Sequence, residues 1–437
     1  MPINTTHIEY RNYQARVDQV RDCFEGSERV KSKGVDYLPK LDGQSETQYQ
    51  AYKTRGYFLP AIKPAATALT GAIMRREVVT DNAPDVDYGG ESRTIDELAS
   101  LSCIELLIAG RGGYLVEHNG ITPSIRFYNR ESIINWSSQF IVLQQSYEVI
   151  DEKDPYIVSF QIEYLELTII DGVYTQRVWR QRANSKKFEI YKEVTPTKRG
   201  DSLLEIPFVF FNTFTVDERS TAPVLLEMSD INLDHYRLAT DERHGLHNTA
   251  LPTMFLFGDI RDSENKPVAL TVGPGSANHI PNDEARAELL EFTGAGLGSI
   301  AATMDKDVEQ MANLGAKMFQ NSAEGVRAAE TARIEQSGES ATLSTIANSV
   351  ESALTIALKI AAMWQGASDD VTVKLNRDFL DTSLAAQDLT ALLQAYMGGA
   401  ISLDTFLYNL KKGEKLPKDR TVEEEKGMIE NRELGLE

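Results

Sequence analysis

Two cysteines, Cys23 and Cys103, are all that the 437 residues contain. That count supports neither a disulfide framework nor a zinc cluster, and it fits a reducing compartment in which both are plain thiols. Positive charge is scarce as well: 45 Lys and Arg stand against 65 Asp and Glu, a formal charge of −20. A protein that grips DNA by neutralising phosphates needs the opposite balance, so any contact with nucleic acid is expected to be weak. No run approaches the roughly 18 apolar residues that cross a bilayer. The opening MPINTTHIEYRNY lacks the basic-then-apolar order of a secretion signal. The chain is expected to be neither secreted nor membrane-embedded by its own sequence.

The motifs of common enzymes are missing too. Without a G-x-x-x-x-G-K-[ST] loop there is no recognisable nucleotide motor. Gly294, Gly296 and Gly298 lie ahead of a helical stretch, but no strand precedes them and no acid follows as a dinucleotide site requires, so they read as a flexible joint. GPGSAN at 273–278 lacks the second glycine of G-x-S-x-G and reads as a turn. Asp283, Glu284, Glu288 and Glu291 cluster before the joint, and Asp305, Asp307 and Glu309 after it. A hydrolase needs two such carboxylates at a fixed separation with one pKa raised; a charged, solvated face is the simpler expectation. No catalytic residue, cofactor site or metal site is assigned.

The nearest thing to a metal motif is LDHYRLATDERHGLHN, which carries three of the six histidines. On a helix His235 and His244 lie about 180° apart and His244 and His247 about 60° apart, so the three do not converge on one ion. Solvated or interface histidines are the expectation. The competing reading is a metal-dependent hydrolase using His244, His247 and nearby acids.

What the chain has in quantity is apolar residues, 42%, beside 25% charged, enough for several packed layers or two to four domains. Residues 7–32 read as a charged helix, AIKPAATALTGAIMR as a second, and TIDELASLSCIELLIAGRGG as a third that stops at Gly110, a favoured C-terminal signal. From Tyr114 to Phe214 the texture turns to β-branched and aromatic runs, such as YIVSFQIEYLELTII and VYTQRVWRQ, split by turns like Asp171-Gly172. A mostly antiparallel sheet region is expected there. A long rod follows, with Ser220 or Thr221 as its cap and Pro223 in its first turn. Thr253 to Phe292 reads as short strands and turns, and helix resumes at GSIAATMDKDVEQMANLGAKMF. Residues 330–364 then lack proline, and Leu343, Ile346, Val350, Leu354, Ala357, Ala361 and Trp364 recur at three and four, one stripe of a very long helix. Such a length suggests an assembly rather than a compact enzyme, with more apolar stripe than one chain buries. VTVKLN reads as a strand, and two or three short helices precede a mixed-charge tail.

This order, together with the wording of GRGGYLVEHN, NRESIINW, IPFVFF, DINLDHYRLATDERHGLHNTALPTMFLFG, EQMANLGAKMF, ETARIEQSGESATLSTIANSVESAL and YLPKLDGQSETQYQAY, resembles the portal (head-tail connector) proteins of tailed bacteriophages. The resemblance covers most of the chain, and its motifs are structural. It implies an α+β portal fold, no enzymatic activity, and a ring of about twelve copies at one capsid vertex of the virion, assembled in the host bacterial cytoplasm. DNA is packaged through that ring and later ejected. Carried onto this sequence, it makes 1–217 the wing (helical at first, β-rich from about 111), 218–250 the first stem helix and 251–293 the clip. It makes 294–318 the second stem helix, 319–329 the tunnel loop, 330–384 the long wing helix with its return strand, and 385–437 the crown. Gln320, Asn321, Ser322, Glu324, Gly325 and Arg327 would then face DNA. Phe255, Phe257, Asp283, Glu284 and Glu288 would meet the packaging motor. The implied partners are other copies of the chain, the terminase large subunit, the major capsid and scaffolding proteins, head-completion, adaptor and tail proteins, and transient, non-specific double-stranded DNA. No cofactor and no membrane are implied. His235, His244 and His247 would ride on a channel or subunit-interface helix. Beside the hydrolase, a monomeric capsid adaptor is the remaining alternative.

Overall fold

The computed structural model describes the chain except residues 1, 90–92, 119, 121, 152–153, 183–186, 250–253, 257–286, 290–295, 318–328, 378, 380–385, 398–399, 413–414, 417–419 and 434–437. Residues 248–249, 254–256, 287–289, 316–317, 329–341, 386–389, 391, 412 and 430–433 are described by backbone alone. The chain divides into two compact units, Met1–Arg377 and Asp378–Glu437.

The first unit opens with helices whose ends are set by local chemistry. α1 (Ile8–Glu25) starts where His7 Nδ1 accepts the Glu9 N–H at 3.2 Å, and α2 (Ser27–Ser32) follows after Gly26. α3 (Glu46–Arg55) is held by a reciprocal cap between Ser45 and Gln48, which satisfies two otherwise orphaned N–H groups. α4 (Ile62–Ile73) buries Ile62, Ala66, Leu69 and Ile73. After the short strand β1 (Val79–Asp81), a second reciprocal cap, Thr94 with Glu97, starts α5 (Ile95–Ala109). Gly110, at φ 72°, ends α5 in the left-handed conformation that its sequence signal leads one to expect.

α5 runs directly into the β region. β2 (Arg111–His118) is the centre of a three-stranded antiparallel sheet, flanked by β3 (Pro123–Asn129) and, from much later in the chain, by β11. β4 (Ile133–Trp136), β5 (Phe140–Ile150), β6 (Val158–Ile170), β7 (Val173–Gln181) and β8 (Phe188–Val194) form a five-stranded antiparallel meander in chain order. Asp171 and Gly172, at φ 50° and 80°, make the tight turn from β6 to β7, the left-handed pair that a two-residue hairpin requires. A small ribbon of β9 (Thr197–Lys198) and β10 (Asp201–Ser202) leads to β11 (Phe208–Asn212). The two larger sheets share one core: Leu115 and Tyr128 from the first pack with Trp136, Ile141, Leu143, Leu165, Leu167 and Tyr174 from the second. Alternation along β6 sends Leu165 and Leu167 into that core and Tyr164 to the other face, where it packs with Ile134 and Val142.

α6 spans Leu226–Thr249, so it begins later than Ser220 or Thr221. Those two residues are used elsewhere. Thr221 Oγ1 donates to the Gly110 carbonyl, and Ser220 Oγ accepts from Arg111 at 3.3 Å, so both tie the chain back to the end of α5. β12 (Met254–Leu256) pairs antiparallel with β13 (Ala287–Leu289), and α7 (Leu297–Lys317) and α8 (Ala329–Gln365) follow. β14 (Thr372–Lys374) pairs with β1, whose strand character the Asp- and Pro-rich sequence around it conceals.

The apolar stripe of α8 is real, but its use differs from the expectation. Leu343, Ile346, Val350, Leu354, Ala357 and Ala361 are fully buried and Trp364 nearly so, against α5 and the β11–β2–β3 sheet of the same chain. Ser349 Oγ anchors the helix to the Asn212 carbonyl at 2.6 Å. One chain therefore does bury this stripe, and it is no evidence of assembly. Thr342–Gln365 is long and apolar enough to cross a membrane by length and composition, contrary to the reading of the sequence, and 56% of its most apolar stretch is inside the fold. Cys23 and Cys103 are buried free thiols, each pushed up to about 12 by that burial, which leaves them unreactive at neutral pH.

The second unit holds α9 (Ala386–Met397), α10 (Leu403–Lys412) and α11 (Val422–Glu433). Tyr396 stacks on Phe406 at 4.8 Å, and Lys426 bridges to Asp404 at 2.8 Å.

A Cβ at Gly110 would lie 2.6 Å from the Thr221 carbonyl and 2.9 Å from that of Ala222, backbone atoms that cannot step aside, whereas a Cβ at Gly172 meets nothing within 4 Å. Gly110→Ala is expected to cost about 2–4 kcal/mol and Gly172→Ala about 1 kcal/mol, measured by urea unfolding. Equal losses would show that the contact with residues 221–222 does not constrain the fold.

Candidate functional site

The helix pair α6 and α7 is the part of the fold with the most distinctive chemistry. The two run antiparallel. Gly315 lies beside Met228 at one end, and at the other a Cβ on Gly245 would sit 2.6 Å from Leu297 Cδ2, so the missing side chain lets the helices close. Met311 is buried in the seam. Residues 302, 303, 305, 306, 308–310, 312 and 313 of α7 are exposed on its far side, a face of small and polar residues, Asp305, Lys306 and Glu309 among them, with one larger apolar side chain, Val308.

The opposite flank of α6 is locked to the N-terminal helices. Gln19 of α1 donates to Ser229 Oγ at 2.9 Å and Asp230 Oδ1 at 2.6 Å; Asn232 donates to the Leu59 carbonyl at 2.8 Å, and Arg237 Nε to that of Tyr37 at 2.9 Å. Tyr52 of α3 donates to Asp241, and Arg55 lies 2.9 Å from His247 Nε2. Phe58 meets Tyr236 edge-on, and Gly56 allows the chain to approach Thr240 closely.

The three histidines divide as the helical wheel requires. His235 is 6% exposed and lies near Asp307 of α7, while His244 packs edge-on against Tyr52 of α3 at 5.3 Å. They do not converge, and among the described residues no group of three His, Cys, Asp or Glu is placed to hold a metal. Two expectations need correction. His235 and His244 are not solvated, because α7 and α3 of their own chain cover them, whereas His247 remains exposed as expected. Nor do Asp305, Asp307 and Glu309 form one solvated face: Asp305 and Glu309 are exposed, but Asp307 turns inward with a buried Oδ2 that has no hydrogen-bond partner. The sequence marks Asp307 only as one of an acidic cluster, and it does not mark Asp241, Tyr52 or Arg55. Tyr52 and Arg55 are far from α6 in the chain, and no spacing rule connects them.

Gln320, Asn321, Ser322, Glu324, Gly325 and Arg327 lie outside the described residues, as do Phe257, Asp283 and Glu284. Phe255 and Glu288 are brought together, as direct partners in the β12–β13 register.

Residues 224–365 match the model of a family described as a domain of unknown function, DUF4055. The match begins just before α6 and ends on the last residue of α8. No curated protein matches the chain. The solved structures similar to it include the following three. One is from the virion of a native gene transfer agent particle, at 11% identity and a TM-score of 0.38, covering 86% of this chain and 96% of that one. A second is from the neck of an empty gene transfer agent particle, at 12% identity and 0.36, with the same coverage. The third is a crystal structure of an HK97-family phage portal protein from Corynebacterium diphtheriae, at 12% identity and 0.33, covering 77% of this chain and 95% of that one.

Burial lowers the pKa of His235 below 6.5, opposed by Asp307 and Glu242; burial also lowers His244, with Arg55 and His247 adding to it, and His7. A group whose folded pKa lies below its unfolded value stabilises the fold fully above the unfolded value and loses that contribution as the pH falls. Asp307 is shifted the other way, upward by burial, so its contribution is lost as the pH rises above the carboxylate range rather than near 6. The stability of the full chain to urea is therefore expected to fall as the pH drops from 7 to about 5.5. His235→Gln should make that slope shallower, and an unchanged slope would mean that burial of His235 is not linked to folding.

Proposed function

We propose that this chain is a portal, or head-tail connector, subunit of a tailed-phage-like particle, acting as a structural ring rather than as an enzyme. The observation that carries the proposal is the order and pairing of α6, β12–β13, α7 and α8: an antiparallel helix pair brackets a small β element and leads into a long helix. The stem, clip and wing of the portal resemblance follow that order. In this reading about twelve copies close into a ring, α6 and α7 form the stem, the stretch between them docks the terminase, and residues 319–329 face the passing DNA. The ring would sit at a capsid vertex of the virion, bound to capsid, scaffolding, adaptor and tail proteins.

The exposed side of α7 suits such a channel. Apart from Val308 its side chains are small or polar, and Lys306 is the one positive charge among the exposed residues described there, so a sliding polyanion finds few sites at which to release counterions and bind tightly. Around a closed ring Asp305 and Glu309 would repeat once per copy, a field that repels phosphate unless screened. No observation favours the hydrolase, for whose His244 and His247 no third ligand is placed among the described residues, or the monomeric adaptor.

Native mass spectrometry of the purified full chain should give a species at a large integer multiple of 48.7 kDa. A monomer at all concentrations and salts would overturn the proposal. In a packaging assay the Asp305→Lys, Glu309→Lys double variant should still form rings but slow or retain DNA, with an effect that weakens as salt rises. Packaging at the normal rate would remove α7 from the channel wall.

A further inference from the structure

Four segments that stand out in the sequence, the start of the chain, GRGGYLVEHN, NRESIINW and IPFVFF, meet around two buried guanidinium groups. Arg111, the first residue of β2, and Arg130, in a one-turn 3-10 helix before β4, are each 1% exposed. Arg111 lies flat on Trp136, with Cζ 3.7 Å from the ring centre, and 4.8 Å from Phe210. His7, the cap of α1, stacks on Trp136 at 4.0 Å. Arg130 Nη2 reaches the carbonyls of Glu9 and Tyr10 in the first turn of α1 at 3.5 and 3.3 Å, and its Cζ lies 5.5 Å from the Tyr13 ring.

Stacking uses the face of a guanidinium, while its N–H groups point outward in the plane. Here those edges are largely unmet. Arg111 makes one long hydrogen bond, to Ser220 Oγ, leaving Nε and Nη2 buried without a partner; Arg130 leaves Nε and Nη1 in the same condition. The neighbouring acids act on the two guanidinium groups only through space. Arg21 takes both Glu105 and Glu131, and Glu9 Oε2 accepts the Ser220 N–H at 2.9 Å. Among the described residues neither Arg111 nor Arg130 is ion-paired to a carboxylate. Both groups border the N-terminal turn of α1, the positive end of an 18-residue helix. Two positive charges, four unmatched donors and a helix N-terminus in one dry place call for an acceptor that carries negative charge.

We propose that Arg111 and Arg130, with the first turn of α1, hold a small monovalent inorganic anion of the chloride class as a built-in part of the fold. A halide matches the need: it is small enough for a closed site, accepts several N–H groups at once and carries the compensating charge. Burial and mutual repulsion lower the pKa of Arg111 to about 9, with Glu9, Glu218 and Asp217 only partly offsetting this, and an anion at this position would oppose both effects. The site is separate from the stem helices and does not depend on the portal reading.

Bromide is the probe. Crystals of the full chain grown in sodium bromide and measured at the bromine edge should show an anomalous peak within hydrogen-bonding distance of the free nitrogens of Arg111 and Arg130. The full chain should also melt about 2–4 °C higher in sodium chloride than in sodium gluconate of equal ionic strength, and Arg111→Gln and Arg130→Gln should each abolish the difference. The wild-type measurements stand even if a variant fails to fold. Water in place of bromide overturns the proposal. A peak without a chloride-specific gain in stability marks an adventitious ion only, and overturns it equally.

Discussion

α6 buries polar side chains on both of its flanks, and two of them, Ser229 and Asn232, are met by groups from other parts of the chain. Ser229, Asn232, His235 and Thr240 are all less than 9% exposed, and a buried polar group left unmatched costs about 1–3 kcal/mol. Against a total stability of about 5–15 kcal/mol, few such losses are tolerable. α1 therefore presents Gln19 to Ser229, and the stretch before α4 presents the Leu59 carbonyl to Asn232, while Thr240 turns back to the Tyr236 carbonyl of α6 itself; α3 adds Tyr52 to the half-buried Asp241 and Arg55 beside the exposed His247. The N-terminal helices are arranged around these demands. The link continues into the sheets through α1, whose Arg21 holds Glu105 of α5 and Glu131 beside β4. Burial works against the charge of Arg21, but the two carboxylates outweigh it and keep the guanidinium protonated.

The same constraint separates what is fixed within one chain from what remains for partners. The stripe of α8, His235 and His244 of α6 and the seam of α7 are consumed internally. Apart from Val308, what α7 leaves outward is small and polar, a surface suited to sliding contact rather than to tight docking. The proposed portal role would need this combination: a stem anchored rigidly from behind, so that ring geometry is transmitted to the channel, and a channel face with little to hold DNA. The acidic balance of the whole chain, −20, acts in the same direction.

Features decided by neighbouring residues were legible in the sequence. The stop at Gly110, the Asp171-Gly172 turn, the alternation of the β region and the three-and-four spacing of α8 all follow from backbone preference and period, which act over a few residues. The α+β class and the helix, β element, helix, long helix order follow from those. The wheel argument separating His235 from His244 also held, because it is pure geometry. Errors arose where a distant segment decided the outcome. Ser220 and Thr221 are good caps in isolation, but Gly110 and Arg111 recruit them, and α6 starts later. β1 exists because β14 supplies its partner. Asp307 belongs with its acidic neighbours by sequence and with His235 by structure. Arg111 and Arg130 sit in segments that the sequence makes conspicuous, yet only packing reveals that both are buried without a counter-ion.

The central claim is that this chain closes into a ring with α7 on its inner wall. Single-particle electron microscopy of the purified full-length protein tests it most directly. The account predicts closed cyclic particles with an axial hole wide enough for duplex DNA, and density for α7 nearest the axis with α6 behind it. Monomers, open filaments, or a ring in which α7 faces outward would contradict it.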